Sequence, residues 1–383
     1  MNGLLKLLLI LDFILPTFTY YTGVSSTITP GFLIALIILC LRYKYASKNR
    51  IFLYTATICI ALMFFVYSTG RILDIRSFSN AIFKPIIIYL CFAEYKIINW
   101  KKISKLIINL YTINCIISIL ERILRHNFLG DVYIGDGNYE FRSIGFYGHP
   151  LQCAIITLIV YSFILYSDIK NKLFYLIIGC ITIFCYNGRT AILTLLLITA
   201  LYFLHIIFSK NQSILNKFIV IALFTIAPTV ILFLIMRMGL GGRFLTLDIE
   251  TDGSIRTRLV LLDLFNLYSI SDFLWGFKPK ALAHTIEKVS TSENMVIENF
   301  WILYMLRFGI IFLSLLTLIF INIFRKISSK FNKYFFLSVL IPIIILCSTN
   351  NSIATGAPIF TYLFILFLGF PISNKYIKQR LSQ

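Results

Sequence analysis

The chain has 383 residues, 59% of them hydrophobic and 13% charged, with a mean hydropathy of +0.87; a soluble domain carries about 25% charged residues, so a water-soluble fold is excluded. The formal net charge of +19 is what Lys and Arg retained in the cytoplasmic loops of a polytopic membrane protein produce, and it does not imply nucleic acid. The eight cysteines (Cys40, Cys59, Cys91, Cys115, Cys153, Cys180, Cys185 and Cys347) all fall inside apolar runs without a CxxC pair. They read as small buried hydrophobes, with no zinc or redox motif among them.

A spanning helix needs about 20 mostly apolar residues. In chain order such stretches lie near 4–22, 28–43, 51–69, 80–95, 103–121, 149–167, 173–187, 190–208, 217–236, 298–323, 334–350 and 356–372. The expected fold is therefore an all-α polytopic membrane protein of about twelve transmembrane helices, with 1–383 as one integral membrane domain. The N-terminal run from Met1 to Pro16 resembles a signal peptide, but it lacks a small-x-small cleavage site and another span follows at once. It is expected to stay as the first helix.

The distribution of basic residues sets the orientation. With both termini cytoplasmic, Lys6, the segments 42–50, 96–105, 170–172, 210–217 and 325–333 and the C-terminal tail lie inside, holding 16 Lys and 4 Arg; the remaining bases, 11 Arg and 4 Lys, lie outside. Lysine suffices to fix topology, whereas arginine offers a planar fork that binds phosphate or carboxylate in bidentate fashion. Thirteen of the sixteen acids, all but Asp12, Glu94 and Asp168, also fall on the outer side or at outer helix ends. The arginines either pin the outer loops through salt bridges or form a surface for an anionic group; the asymmetry as a whole favours the second reading.

Four outer clusters carry chemistry. At the head of the sixth stretch stands Glu140-Phe-Arg142-Ser-Ile-Gly145-Phe-Tyr-Gly148-His149-Pro150. Pro150 suits a first helical turn, the glycines permit close approach of backbone to a ligand, and His149 either faces a site below Arg142 or caps the helix. The short hairpin Tyr186-Asn187-Gly188-Arg189 leaves Arg189 to snorkel to lipid phosphate or to point into a cavity between helices. The large outer loop, 237–297, breaks the apolar pattern for about sixty residues and holds Arg237, Arg243, Arg256, Arg258, Asp263, His284 and Glu287. Within it Leu259 to Ser269 is amphipathic and suits a helix lying on the membrane, and Trp275-Gly276-Phe277 reads as an interfacial turn. Arg256 and Arg258, two residues apart, cannot share one face of a helix. Glu298-Asn299 then opens the tenth stretch, where a carboxylate is stabilised by the helix N-terminus or simply serves as an N-terminal acid. Arg307, about 13 Å further along that helix, needs water or an acid beside it.

These marks in this order resemble the O-antigen polymerase and O-antigen ligase superfamily of polytopic bacterial inner-membrane glycosyltransferases. The resemblance rests on about twelve spans with a large late periplasmic loop, and on Arg142 with Gly145 and His149-Pro150, Asn187-Gly188-Arg189, Ser254-Ile255-Arg256-Thr257-Arg258, Trp275-Gly276-Phe277, and Glu298-Asn299 before Gly309. It implies an undecaprenyl-pyrophosphate-linked glycan as substrate, membrane lipids and a polysaccharide chain-length regulator as further partners, and no cofactor or metal. It places Arg142, Arg189 and one of Arg256 or Arg258 at pyrophosphate-binding positions, the other of that pair standing at the rim; His149, Asn299 and Arg307 are the further candidates for substrate binding. The ligase branch has a histidine before the asparagine that opens the helix; Glu298 stands there instead and favours a polymerase, joining oligosaccharide repeat units at the periplasmic face in lipopolysaccharide biosynthesis. Glu298 is then the first candidate for catalytic base and His284 the second, with the loop 237–297 as a lid over a shared cavity. The alternatives are a ligase that transfers the polysaccharide to lipid A core and a flippase for the lipid-linked oligosaccharide.

Overall fold

The computed structural model describes residues 1–22, 29–51, 53–58, 61, 78–92, 98–129, 141–208, 269–277, 297, 299–331, 333–349 and 358–369, the side chains of 15–22 excepted. Among these residues the regular structure is helical, with no strand. The helices are α1 (Asn2–Thr22), α2 (Pro30–Ala46), α3 (Lys84–Phe92, entered through a π-helical turn at Ser79–Phe83), α4 (Trp100–Leu124), α5 (Pro150–Leu165), α6 (Lys172–Cys185), α7 (Arg189–Phe208), α8 (Ile270–Trp275), α9 (Phe300–Ser328), α10 (Lys333–Thr349) and α11 (Ile359–Gly369). All but the short α8 coincide with apolar stretches of the sequence. The stretch near 217–236 lies outside the described residues, and that near 51–69 is described only in part.

Local signals set the helix starts. Thr29, Asn99, His149, Ser269 and Asn299 each accept a backbone N–H of the first turn through the side chain, removing one of the donors that a helix N-terminus leaves unmet. Pro30 and Pro150 follow two of these caps, where a missing N–H costs nothing.

Among the described residues three helices, α4, α7 and α9, are long and apolar enough to cross a membrane. α4 buries Trp100, Ile103, Ile107, Leu110, Asn114, Ser118 and Glu121 at helical spacing and exposes Ile113, Ile116, Leu120 and Ile123 on its other side. An exposed apolar face of that kind fits hydrocarbon rather than water. α3, α5 and α11 are instead buried nearly all round, as expected of helices surrounded by others. The same split corrects the reading of the cysteines: Cys40 is exposed and Cys180 partly so, because their helices turn apolar faces outward there.

Packing brings several lysine-rich ends together. The Asn2 side chain accepts from Asn99 N at 3.2 Å, and Gly369 lies against the Trp100 ring, so the start of α1, the start of α4 and the end of α11 share one level. Phe331 and Phe335 at the head of α10 pack against Phe367 of α11, tilted and edge-on, with ring centroids 5.4 and 6.1 Å apart. Lys6, Lys101, Lys102 and Lys333 therefore belong to one end of the bundle. With only 11 residues, α11 reaches about 16 Å from that level, roughly half of a hydrocarbon core of about 30 Å.

Candidate functional site

Other helix starts lie at this half depth. Asp12, about 15 Å along α1, receives Lys84 Nζ of α3 at 2.8 Å on both carboxylate oxygens, and both side chains are 2% exposed. Gly31, in the first turn of α2, makes room for the pair: a Cβ there would lie 2.2 Å from Asp12 Oδ1. Thr29 Oγ1 bonds Asn80 in the π-turn while also capping α2. The next residue of α1, Phe13, stacks on Phe146 at 4.3 Å and meets Tyr147 edge-on at 5.7 Å. Tyr147 in turn packs against Tyr362 in the first turn of α11 at 6.3 Å. The starts of α2 and α11, the π-turn that leads into α3 and the turn Gly145–Tyr147 thus gather around the midpoint of α1.

The segment 141–149 that leads into α5 is held down by buried polar groups of α4. Glu121, fully buried, accepts Ile144 N and Gly145 N on Oε2 at 2.9 Å each and Phe128 N on Oε1 at 3.2 Å. Asn114 Oδ1 takes Phe146 N at 2.9 Å. Buried backbone donors demand such partners, and α4 supplies them from two positions two turns apart. Gly145 is required here: its φ is +49°, and a Cβ would lie 2.6 Å from Asn114 Oδ1 and 2.7 Å from Ser118 Oγ. Gly145→Ala is expected to lose about 1–2 kcal/mol to the left-handed backbone alone, with the clash added, read as a lower unfolding temperature in detergent.

Two of the sequence clusters meet above this anchor. Arg142, 5% exposed, donates Nε to Tyr186 O at 3.0 Å, and Ser143 N donates to Cys185 O at 3.2 Å, so the segment 141–149 runs against the turn 186–189. The Tyr186 hydroxyl beneath accepts from Asn114 Nδ2 at 2.8 Å and Ser118 Oγ at 3.1 Å. Asn127 Nδ2 donates to Arg142 O at 3.2 Å, fixing the arginine's own backbone. His149 lies within electrostatic reach of Arg142, and its Nδ1 accepts from Leu151 N at 3.3 Å; of its two sequence readings, the capping one describes this contact. Arg189, half-buried, is the first residue of α7, and Leu151 of α5 packs by the preceding Gly188. Arg142, His149 and Arg189 are thereby brought into one neighbourhood at the arginine-bearing end.

Asn299 and Arg307 sit on α9. Asn299 Oδ1 caps Ile302 N at 3.1 Å while Nδ2 donates to Ser348 O at 3.0 Å, and Trp301 Nε1 donates to Ser348 Oγ at 3.2 Å, which ties the head of α9 to the end of α10. Arg307, half-buried, stands two residues before a break in α9 at Gly309, whose φ is +81°. The segment Trp275-Gly276-Phe277, expected as an interfacial turn, packs into that break. Phe277 N donates to Leu306 O at 2.7 Å, and a Cβ on Gly309 would lie 2.3 Å from Leu274 O, so two glycines are what let the backbones touch. Glu298, His284, Arg256 and Arg258 lie outside the described residues, as does the amphipathic run 259–268.

Sequence reasoning missed Asp12, Lys84, Glu121 and the hydroxyl of Tyr186. The signal for the first two was present: single charges inside apolar runs are costly in a membrane and mark functional or paired positions. Between α9 and α10 there is also a cavity of about 540 Å³, lined mainly by Leu313, Phe320, Phe324, Phe336, Leu340 and Ile343. Such a lining suits a hydrocarbon chain and offers little with which to read a glycan. No protein-family model matches the chain, and no curated protein matches it either.

Proposed function

We propose that the chain is a glycosyltransferase that polymerises lipid-linked oligosaccharide repeat units at the outer face of a bacterial inner membrane. The observation that carries this reading is the union of Arg142 and the 186–189 turn through the 3.0 Å bond from Arg142 Nε to Tyr186 O. It joins two segments to which the family resemblance assigns pyrophosphate binding. The anchored Nε fixes the guanidinium plane, and the starts of α5 and α7 add positive dipole ends suited to an anion.

In the reaction, a sugar hydroxyl of one lipid-linked unit attacks the anomeric carbon of another chain. The new C–O bond forms as the bond to the pyrophosphate oxygen breaks, with inversion, and undecaprenyl pyrophosphate leaves with the electron pair. Arginines stabilise the charge that develops on this leaving group. The proton of the attacking hydroxyl goes to a base, for which Glu298 is the first choice and His284 the second; general base catalysis contributes about 10²–10⁴-fold.

Deleting the gene is expected to leave a single repeat unit on lipid A, read as one band on a lipopolysaccharide gel. Loss of all repeat units with lipid-linked polymer accumulating would instead indicate a ligase. A second reading, a flippase for the lipid-linked unit, is favoured by one observation, the ion pair Asp12–Lys84 at half depth. It predicts that deletion traps lipid-linked units on the cytoplasmic leaflet.

A further inference from the structure

The buried turn 186–189 contains a side chain that neither the fold nor the pyrophosphate reading uses. Asn187 is 1% exposed, and both Nδ2 and Oδ1 of its carboxamide are buried without a hydrogen-bond partner among the described residues. It stands between Tyr186, whose carbonyl holds Arg142, and Arg189, which opens the 20-residue helix α7. Its φ is +52°, a conformation that asparagine tolerates. That accounts for the backbone only, since glycine adopts the same conformation without burying two unmet polar atoms. Burying an amide donor and acceptor unpaired is a standing penalty. In a folded protein it is tolerated where a ligand supplies the partners.

The chemistry of those partners is constrained. A carboxamide offers a donor and an acceptor side by side. A pyrophosphate carries acceptors only, so it would satisfy Nδ2 and leave Oδ1 unmet. Neighbouring sugar hydroxyls, each both donor and acceptor, satisfy both atoms together. Resting on the glycosyltransferase reading, we infer that Asn187 is a specificity-determining residue that binds an adjacent hydroxyl pair of the sugar next to the pyrophosphate, while Arg142 and Arg189 hold the phosphates beside it.

The test uses the full-length protein in lipid nanodiscs, with Asn187→Gly and Asn187→Asp. Glycine keeps the turn and removes the amide; aspartate keeps the shape and an acceptor but loses the donor. Affinity is measured for two probes, undecaprenyl pyrophosphate alone and the same lipid carrying the repeat unit. Both variants are expected to bind the lipid-linked glycan about tenfold to a hundredfold more weakly, and Asn187→Gly is expected to keep wild-type affinity for undecaprenyl pyrophosphate and to be at least as thermally stable as the wild type, since it removes two unmet buried polar atoms. Unchanged affinity of Asn187→Gly for the glycan-bearing lipid would overturn the proposal, leaving Asn187 as a turn residue that meets only water. An equal loss for both probes would also overturn it, since the residue would then serve the phosphate end. If the wild-type protein binds the lipid-linked glycan with the expected dependence on Asn187 but joins no units, the polymerase reading fails while the role of Asn187 stands.

Discussion

Arg142→Lys is expected to reduce the rate of repeat-unit joining by about 10²–10³-fold, the usual consequence of removing one preorganised donor from developing negative charge. Lysine preserves the charge but not the fork. In the structure Nε is committed to Tyr186 O at 3.0 Å, and Asn127 holds the carbonyl of the same residue at 3.2 Å, so orientation is built in rather than found on binding. An ammonium on a flexible stem has no second nitrogen with which to keep that anchor while it contacts a phosphate. The measurement is turnover of a defined lipid-linked unit by the variant in membranes, with expression and unfolding temperature as controls. Full activity in Arg142→Lys would remove the bidentate role on which the pyrophosphate assignment depends.

The largest effect on stability is expected from Lys84→Met. It leaves the Asp12 carboxylate, 2% exposed, facing the dipole of α2 as its one remaining compensation at that contact. Breaking a buried pair on one side costs about 3–5 kcal/mol, enough to unfold many proteins outright. Asp12→Asn combined with Lys84→Met removes both charges and is expected to recover more than half of that loss, because the replacements have similar volume and the Gly31 gap accepts a flat amide. The comparison is made by unfolding temperature and by yield of folded protein from detergent extracts. If the double variant recovers activity along with stability, the pair is a structural fastening between α1, α2 and α3. Recovered stability without activity would place it in the handling of substrate and would strengthen the transport reading.

Hydropathy located the described helices well because burying an unpaired backbone in lipid is prohibitive, so each apolar run must close its own hydrogen bonds. What it could not provide is depth. The 11 residues of α11 and the start of α2 beside Asp12 become informative only when neighbours fix their level, through contacts such as Asn2 to Asn99 across 97 positions. The same holds for partners. Asp12 and Lys84 are 72 residues apart, and Glu121 reaches the Gly145 amide across 24; the three charged groups are visible in the sequence within or near apolar runs, but nothing local says which group answers each. α8 was missed although Ser269 and Asp272 form a cap in which Ser269 Oγ donates to Asp272 Oδ2 at 2.7 Å, because six residues are too few to show a period. For Arg142 and Arg189 the sequence offered residue type and an expected membrane side. Their union required the Tyr186 carbonyl, which no side-chain pattern announces.

The most direct test of the proposed activity is a reaction with the purified full-length protein in nanodiscs and a synthetic undecaprenyl-pyrophosphate-linked repeat unit as the only glycan. The polymerase account predicts a ladder of lipid-linked products separated by one repeat unit, with one undecaprenyl pyrophosphate released per bond formed. Recovery of the repeat unit unjoined under conditions where it binds, or its joining only when lipid A core is supplied, would contradict that account.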